Sequence, residues 1–146
     1  MSDKADALSF DKQICFSLYS AANSMVRAYR PLLQNLDLTY LQYIVMMVLW
    51  EEDRVSISSL GHKLHLDSGT LTPLLKRLEA KGLLLRKVSQ KDERVKSLHL
   101  TEAGRALKYK AADIPEKILC KTNASFEDLQ QLKLQCDQLL SALNDD

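Results

Sequence analysis

Three cysteines, a pair of closely spaced histidines and one helix face of hydroxyls and cations are the side chains that could do chemistry in this 146-residue chain. Cys15, Cys120 and Cys136 are odd in number and form no C-x-x-C pair. That excludes a secreted disulfide framework or a zinc ribbon, and in a reducing compartment all three are expected as thiols. A cysteine is a nucleophile only as its thiolate. Lys12, one turn before Cys15, is the only local cation, so the surrounding helix supplies little activation by itself. On composition alone Cys15 reads as a small apolar side chain on a buried stripe, Cys120 as a core cysteine at a helix end and Cys136 as packing. His62 and His65 have the i, i+3 spacing of a metal pair, but no cysteine or second carboxylate accompanies them, and surface histidines are expected. His99 is assigned no role. There is no glycine-rich phosphate loop and no G-x-S-x-G. No enzyme, metal or cofactor is therefore expected.

The helix face lies between Leu66 and Gly82, L-D-S-G-T-L-T-P-L-L-K-R-L-E-A-K-G. Asp67 is a good N-cap and Gly82 can close the helix in a left-handed turn. Leu71, Leu74, Leu75 and Leu78 keep the i, i+3, i+4, i+7 spacing of a buried face. The other face carries Ser68, Thr70, Thr72, Pro73, Lys76 and Arg77. Short hydroxyls and free backbone N–H groups can grip phosphates, and arginine can pair with a guanine edge. Pro73 costs roughly 3 kcal/mol in an ordinary helix interior, and its ring presses on the carbonyl of Gly69. Charge sharpens the reading. Residues 76–96 hold eight cations against three anions, a net +5 in a chain whose formal charge is +1, which leaves −4 elsewhere. A basic block in an otherwise acidic protein suits a phosphate-binding surface.

The elements that must position this face follow from periodicity. A helix is expected from about Phe10, capped by Ser9, to Leu33, with Ile14, Cys15, Leu18, Tyr19, Ala22, Met25, Val26 and Tyr29 on one face. Thr39 and Gln42 form a capping box for the next helix, whose run Y-I-V-M-M-V-L-W is apolar all round and should be buried. Residues 51–54 read as a turn, and Ser56 or Ser58 starts a short helix. Short helix, tight turn and longer amphipathic helix make a helix-turn-helix. The runs 83–88 and 95–100 flank a charged tip and read as a hairpin. Its wing can lay Arg94 into a minor groove, with Asp92 placed to orient that guanidinium and Arg86 as a second anchor. Thr101 should cap a helix reaching toward Cys120 with a bend at Pro115, and Ser125 the last helix. The expected fold class is mainly α with a small β-hairpin wing, a winged helix-turn-helix. Residues 37–100 would be the DNA-binding part, and residues 1–36 and 101–146 dimerisation helices.

The block D-S-G-T-L-T-P-L-L-K-R-L-E-A-K-G-L-L-x-R, followed by D-E-R and L-T-E-A-G, resembles the MarR family of winged-helix repressors. More narrowly, with an early cysteine at position 15, it resembles the organic-hydroperoxide-sensing OhrR branch. The resemblance covers essentially the whole chain. It implies that Cys15 is a reactive cysteine, that Tyr29 and Tyr40 hold the reduced thiol, and that Cys120 matches the resolving cysteine of two-cysteine members. A sulfenic acid on Cys15 could condense with such a thiol to a disulfide. Cys15 and Tyr29 fall on one expected helix, 14 residues apart. At about 1.5 Å per residue that is ~21 Å, so a hydrogen bond between them requires another subunit or a broken helix.

These readings converge on a homodimeric repressor of a palindromic operator, released when an organic hydroperoxide oxidises Cys15. Ser68, Thr70, Lys76 and Arg77 would contact DNA, with Arg86, Asp92 and Arg94 in the wing. The alternative is a repressor of the same type released by a small aromatic ligand without cysteine oxidation. A thiol peroxidase and a DNA-binding protein without a signal are further rivals. No apolar run spans a bilayer, residues 43–50 being the longest noted, and the first ten residues lack a signal peptide's apolar core. A cytoplasmic protein with no membrane partner is expected.

Overall fold

The computed structural model describes residues 2–88, 91–92 and 95–144. A short helix α1 (Ser2–Asp6) and a 3₁₀ turn (Phe10–Lys12) precede α2 (Ile14–Leu33). The helix expected from Phe10 thus starts four residues later. Gln13 is the cause. Its backbone is extended, and its Nε2 donates to the carbonyls of Ala7 at 2.8 Å and Ser9 at 3.1 Å. Ser9 turns its hydroxyl to Asp11 and caps nothing in α2. Pro31 lies inside the last turn of α2 without ending it. A second 3₁₀ turn (Gln34–Leu36) follows, and Asp37 takes the left-handed conformation, φ 53°.

The capping box at Thr39 opens α3 (Tyr40–Glu51) as expected. The Gln42 N–H donates to Thr39 Oγ1 at 3.3 Å, and the Thr39 N–H to Gln42 Oε1 at 3.1 Å. Tyr43, Val45, Met46, Val48 and Leu49 are buried, so α3 is the central post of the core. The chain then enters a third strand that periodicity could not show, because β1 (Val55–Ser56) is too short to have a period. Ser56 ends it and caps α4 (Ile57–Leu64), accepting from the Ser59 N–H at 3.0 Å. His65, with φ 56°, makes the tight turn into α5 (Ser68–Ala80).

Strands β2 (Leu84–Val88) and β3 (Lys96–Leu100) form the hairpin, and β1 pairs with the far edge of β3, giving the antiparallel order β1-β3-β2. Leu84 lies opposite Leu100, Arg86 opposite Leu98, and Val55 opposite Leu98 on the other side. Leu84 and Leu98 are fully buried against the helices.

The L-T-E-A-G segment explains itself at α6 (Glu102–Lys110). Thr101 Oγ1 accepts from the Gly104 N–H at 3.0 Å and donates to the Gly82 carbonyl at 2.6 Å. A Cβ on Gly104 would stand 2.1 Å from the Leu83 carbonyl oxygen, so no side chain fits there. The Gly104 carbonyl accepts from Trp50 Nε1 at 2.9 Å. These bonds fasten α6 to the end of α5 and to α3. The first compact unit of the chain accordingly runs on past Thr101 to Ala111.

The second unit, residues 112–146, contains α7 (Ile114–Thr122) and α8 (Phe126–Asn144). The single bent helix expected from Thr101 to Cys120 is instead two helices. Pro115 sits in the first turn of α7, where its missing N–H is no loss. Ser125 caps α8 as expected, accepting from the Asp128 N–H at 3.0 Å. On α8, Leu132, Leu134, Leu139, Leu140 and Leu143 are all exposed. Among the described residues no single helix is long and apolar enough to cross a membrane.

Candidate redox site and nucleic-acid interface

Tyr29, near the end of α2, and Tyr40, at the start of α3, pack with tilted rings, centroids 4.9 Å apart and planes at 45°, and Tyr43 lies 5.7 Å from Tyr29. The sequence places them there through two local devices: the left-handed turn at Asp37 reverses the chain, and the Thr39–Gln42 box fixes the first turn of α3. Burial pushes the Tyr29 phenol up to about 12, with the neighbouring Tyr40 and Tyr43 adding to it. Tyr40 and Tyr43 are raised by burial as well, Tyr43 with help from Tyr40. Phenols held in this range stay protonated at neutral pH and can donate hydrogen bonds to an anion.

Cys15 is the second residue of α2 and its side chain is exposed. Beside it, Phe16 packs on Phe10 at 4.7 Å and lies 6.4 Å from Tyr19. The stripe expected to be buried is open in the single chain: Ile14 is 67% and Tyr19 66% exposed. Helix α2 is continuous from Ile14 to Leu33, so Cys15 and Tyr29 stand ~21 Å apart along its axis. The structure therefore brings Tyr29 to Tyr40 but brings neither to Cys15 within one chain. Cys120 is exposed on α7, and Cys136 is half-buried on α8.

The recognition-type helix α5 has the ends its sequence indicates. Asp67 Oδ1 accepts from the Thr70 N–H at 2.8 Å. Bonds from the Thr70 hydroxyl and N–H hold the Asp67 carboxyl below its ordinary range. At the other end Gly82, φ 76°, completes a Schellman turn: its N–H donates to Glu79 O at 2.9 Å, and the Leu83 N–H to Leu78 O at 3.1 Å. Leu71, Leu74, Leu75 and Leu78 are buried, while Ser68, Thr70, Thr72, Pro73, Lys76 and Arg77 are exposed on one side. An open groove of about 1170 Å³ runs beside that face, lined by Arg30, Tyr40, Gln42, Thr70, Arg77 and Lys81 among others.

In the wing, Arg86 is half-buried and folds back on the recognition-type helix. Its guanidinium and backbone N–H are bonded to Glu79 of α5. Asp92 is exposed, and its carbonyl accepts from the Val95 N–H at 3.0 Å. Arg94 lies outside the described residues. His62 and His65 are exposed at the end of α4.

Sequence reasoning missed three side chains that hold the interface in place. Glu79 carries Arg86. Asp53 accepts from the Leu100 N–H, the Arg54 N–H and Arg105. Burial alone would raise the Asp53 carboxyl, but these bonds together hold it below its ordinary range. Lys81 bridges the end of α5 to the α2–α3 corner. Only their charge was visible in the sequence, since their partners are remote or belong to the backbone.

The family model for the transcriptional regulator SarA/Rot matches residues 27–111. An organic hydroperoxide resistance transcriptional regulator of Bacillus subtilis is 46% identical over 144 residues, 99% of this chain and 98% of its own. The chain belongs to the MarR family of winged-helix regulators, in the branch of the organic-hydroperoxide-resistance regulators. Reduced AbfR bound to DNA shares the fold at a TM-score of 0.82 and 30% identity, over 98% of this chain and 99% of that one. AbfR with its disulfide formed gives 0.64 at 32% identity, over 95% and 98%. MarR itself, 20% identical, matches the fold at 0.72 over 89% of this chain and 96% of its own. The helix-turn-helix, the wing and the terminal helices of this MarR-family chain are thus those of a DNA-binding transcription regulator.

Proposed function

We propose that this MarR-family regulator is a cytoplasmic homodimeric repressor that leaves its operator when an organic hydroperoxide oxidises Cys15. The observation that carries the reading is the separation within α2: an exposed thiol in its first turn and, ~21 Å along, a half-buried tyrosine whose ring lies 4.9 Å from that of Tyr40. Each half is incomplete in one chain. A partner subunit, docked through the open stripes of α2 and α8, would supply Tyr29 and Tyr40 to its neighbour's Cys15.

The chemistry balances without a cofactor. The Cys15 thiolate attacks the outer peroxide oxygen, the O–O bond breaks, and a proton completes the alcohol that departs. Cys15 is left as a sulfenic acid, oxidised by two electrons. A second thiol, Cys120 or a small external one, then displaces water to form a disulfide. One equivalent is consumed per site, which makes the protein a sensor and not a peroxidase. DNA would be held by Ser68, Thr70, Lys76 and Arg77 from α5 and, in the wing, by Arg94, whose guanidinium Asp92 would orient. Arg86 would position that wing through Glu79.

The test is operator release. A duplex selected by the reduced protein from a random pool should dissociate after one equivalent of an alkyl hydroperoxide, and should stay bound to Cys15→Ser. Release that survives this substitution would refute the redox reading. The groove beside α5 favours a second reading, release by a small aromatic acid seated on Arg30, Arg77 or Lys81. Displacement of the duplex by such an acid from Cys15→Ser would identify it.

A further inference from the structure

Lys81, the C-cap residue between the recognition helix and its glycine turn, reaches into the corner between α2 and α3. Its ammonium meets three oxygens. It donates to the Asp37 carbonyl, lies 3.1 Å from Gln42 Oε1, and pairs with Asp37 Oδ2 at 3.7 Å. Two of the ammonium's three donors are thus hydrogen-bonded, and the Asp37 carboxylate adds an ion pair beyond hydrogen-bond distance. Gln42 is 3% exposed. Its Oε1 is already the acceptor for the Thr39 N–H, so the same oxygen holds the first turn of α3 and the end of α5. Tyr40 is the first residue of that turn. A buried amide oxygen that loses a donor is costly, whereas rigid movement of the whole corner keeps both bonds.

We propose that Lys81 is the positioning residue through which the tyrosine pair sets the recognition helix, a displacement at Tyr40 reaching α5 by way of Gln42 and Lys81. This rests on the reading that Tyr29 and Tyr40 belong to the sensor. Lys81 acts on DNA through the position of α5. A phosphate contact would instead lower affinity independently of Tyr40.

A double-mutant cycle in the full chain tests the proposal without hydroperoxide. The probe is the duplex selected by the reduced protein. Tyr40→Ala should weaken binding about tenfold with Lys81 in place, but less than about twofold in a Lys81→Met background, and Lys81→Arg should restore the larger effect. Equal losses in both backgrounds would overturn the proposal, and so would the absence of any loss from Tyr40→Ala. Should Lys81→Met not fold, judged by its melting transition, Lys81→Gln replaces it. A second arm uses alkyl hydroperoxide, which should release the wild-type protein from the duplex and release Lys81→Met far less. Undiminished release of the variant would overturn the relay. A wild-type protein that is not released refutes the redox reading alone, because the cycle still decides Lys81.

Discussion

Arg86 makes three hydrogen bonds to the carboxylate of Glu79: Nε at 3.2 Å and Nη2 at 3.0 Å to Oε1, and its backbone N–H at 3.1 Å to Oε2. The fork ties the first strand of the wing to the last turn of the recognition helix. The bonds from Arg86 also hold the Glu79 carboxyl below its ordinary range. An arginine so engaged is a strut, and a lysine could not reproduce its bidentate geometry. Salt dependence separates a strut from a phosphate contact. Losing one phosphate contact lowers the slope of log affinity against log salt by about 1. Arg86→Ala should weaken duplex binding at every salt concentration and leave the slope unchanged, whereas Arg77→Ala should reduce it. A reduced slope for Arg86→Ala would show that Arg86 leaves Glu79 to grip DNA.

Gly104 leaves no room for a Cβ, unlike the other three glycines of the chain. A Cβ there would lie 2.1 Å from the Leu83 carbonyl oxygen, which is itself held by the Thr101 N–H at 3.1 Å. The clash is with backbone, so it cannot be relieved by rotating a side chain. Gly104→Ala should cost about 1–3 kcal/mol or more, the range for forced overpacking. Thr101→Val removes the cap of α6 and its bond to Gly82 O, and should cost about 1 kcal/mol. Thermal melts of the two variants check both figures. A Gly104→Ala protein as stable as the wild type would mean that α6 slides away from the Leu83 carbonyl at no cost.

Capping chemistry made much of this fold readable from the chain. Asp67, Thr39, Thr101 and Ser125 each begin the helix their position indicates, because a cap acts within three residues of itself. The failures share the opposite property. Gln13 shortens α2 through bonds to Ala7 and Ser9, which no helical period encodes. Strand β1 exists only because β3 offers it an edge. The candidate site divides the same way. The face of α5 could be read from local spacing, but Glu79, Asp53 and Lys81 owe their roles to partners that only folding assembles.

Tyr29 gives a titration that reports on the site directly. Its phenol is raised from 10.0 to about 12, first by burial and then by the charges of Tyr40 and Tyr43. The folded value lies above the unfolded one. Whatever stability this group contributes is therefore fully present below pH 10 and is lost as pH rises from about 10 toward 12. Phenolate absorbance followed against pH should show a late-ionising component that Tyr29→Phe removes. If Tyr29→Phe removes no late-ionising component, the tyrosine pair is not shielded from water.

A sensor site assembled across two subunits, as proposed above, would make a prediction that no single-chain site shares. Tyr29→Phe removes a phenol donor, so Cys15 in that homodimer should form sulfenic acid more slowly with alkyl hydroperoxide. Cys15→Ser has no sulfur to oxidise. In a mixed dimer of the two variants, the surviving Cys15 belongs to the chain with Phe at position 29. If the phenols come from the opposite chain, this Cys15 faces an intact Tyr29 and should react at the wild-type rate. If they come from its own chain, it should react as slowly as in the Tyr29→Phe homodimer. The rates can be read by trapping the sulfenic acid and analysing intact mass, with a different affinity tag on each chain to isolate the mixed species. An unrescued rate would require α2 to break between Ile14 and Tyr29, because only a bent helix lets one chain fold its own phenol back onto its own thiol.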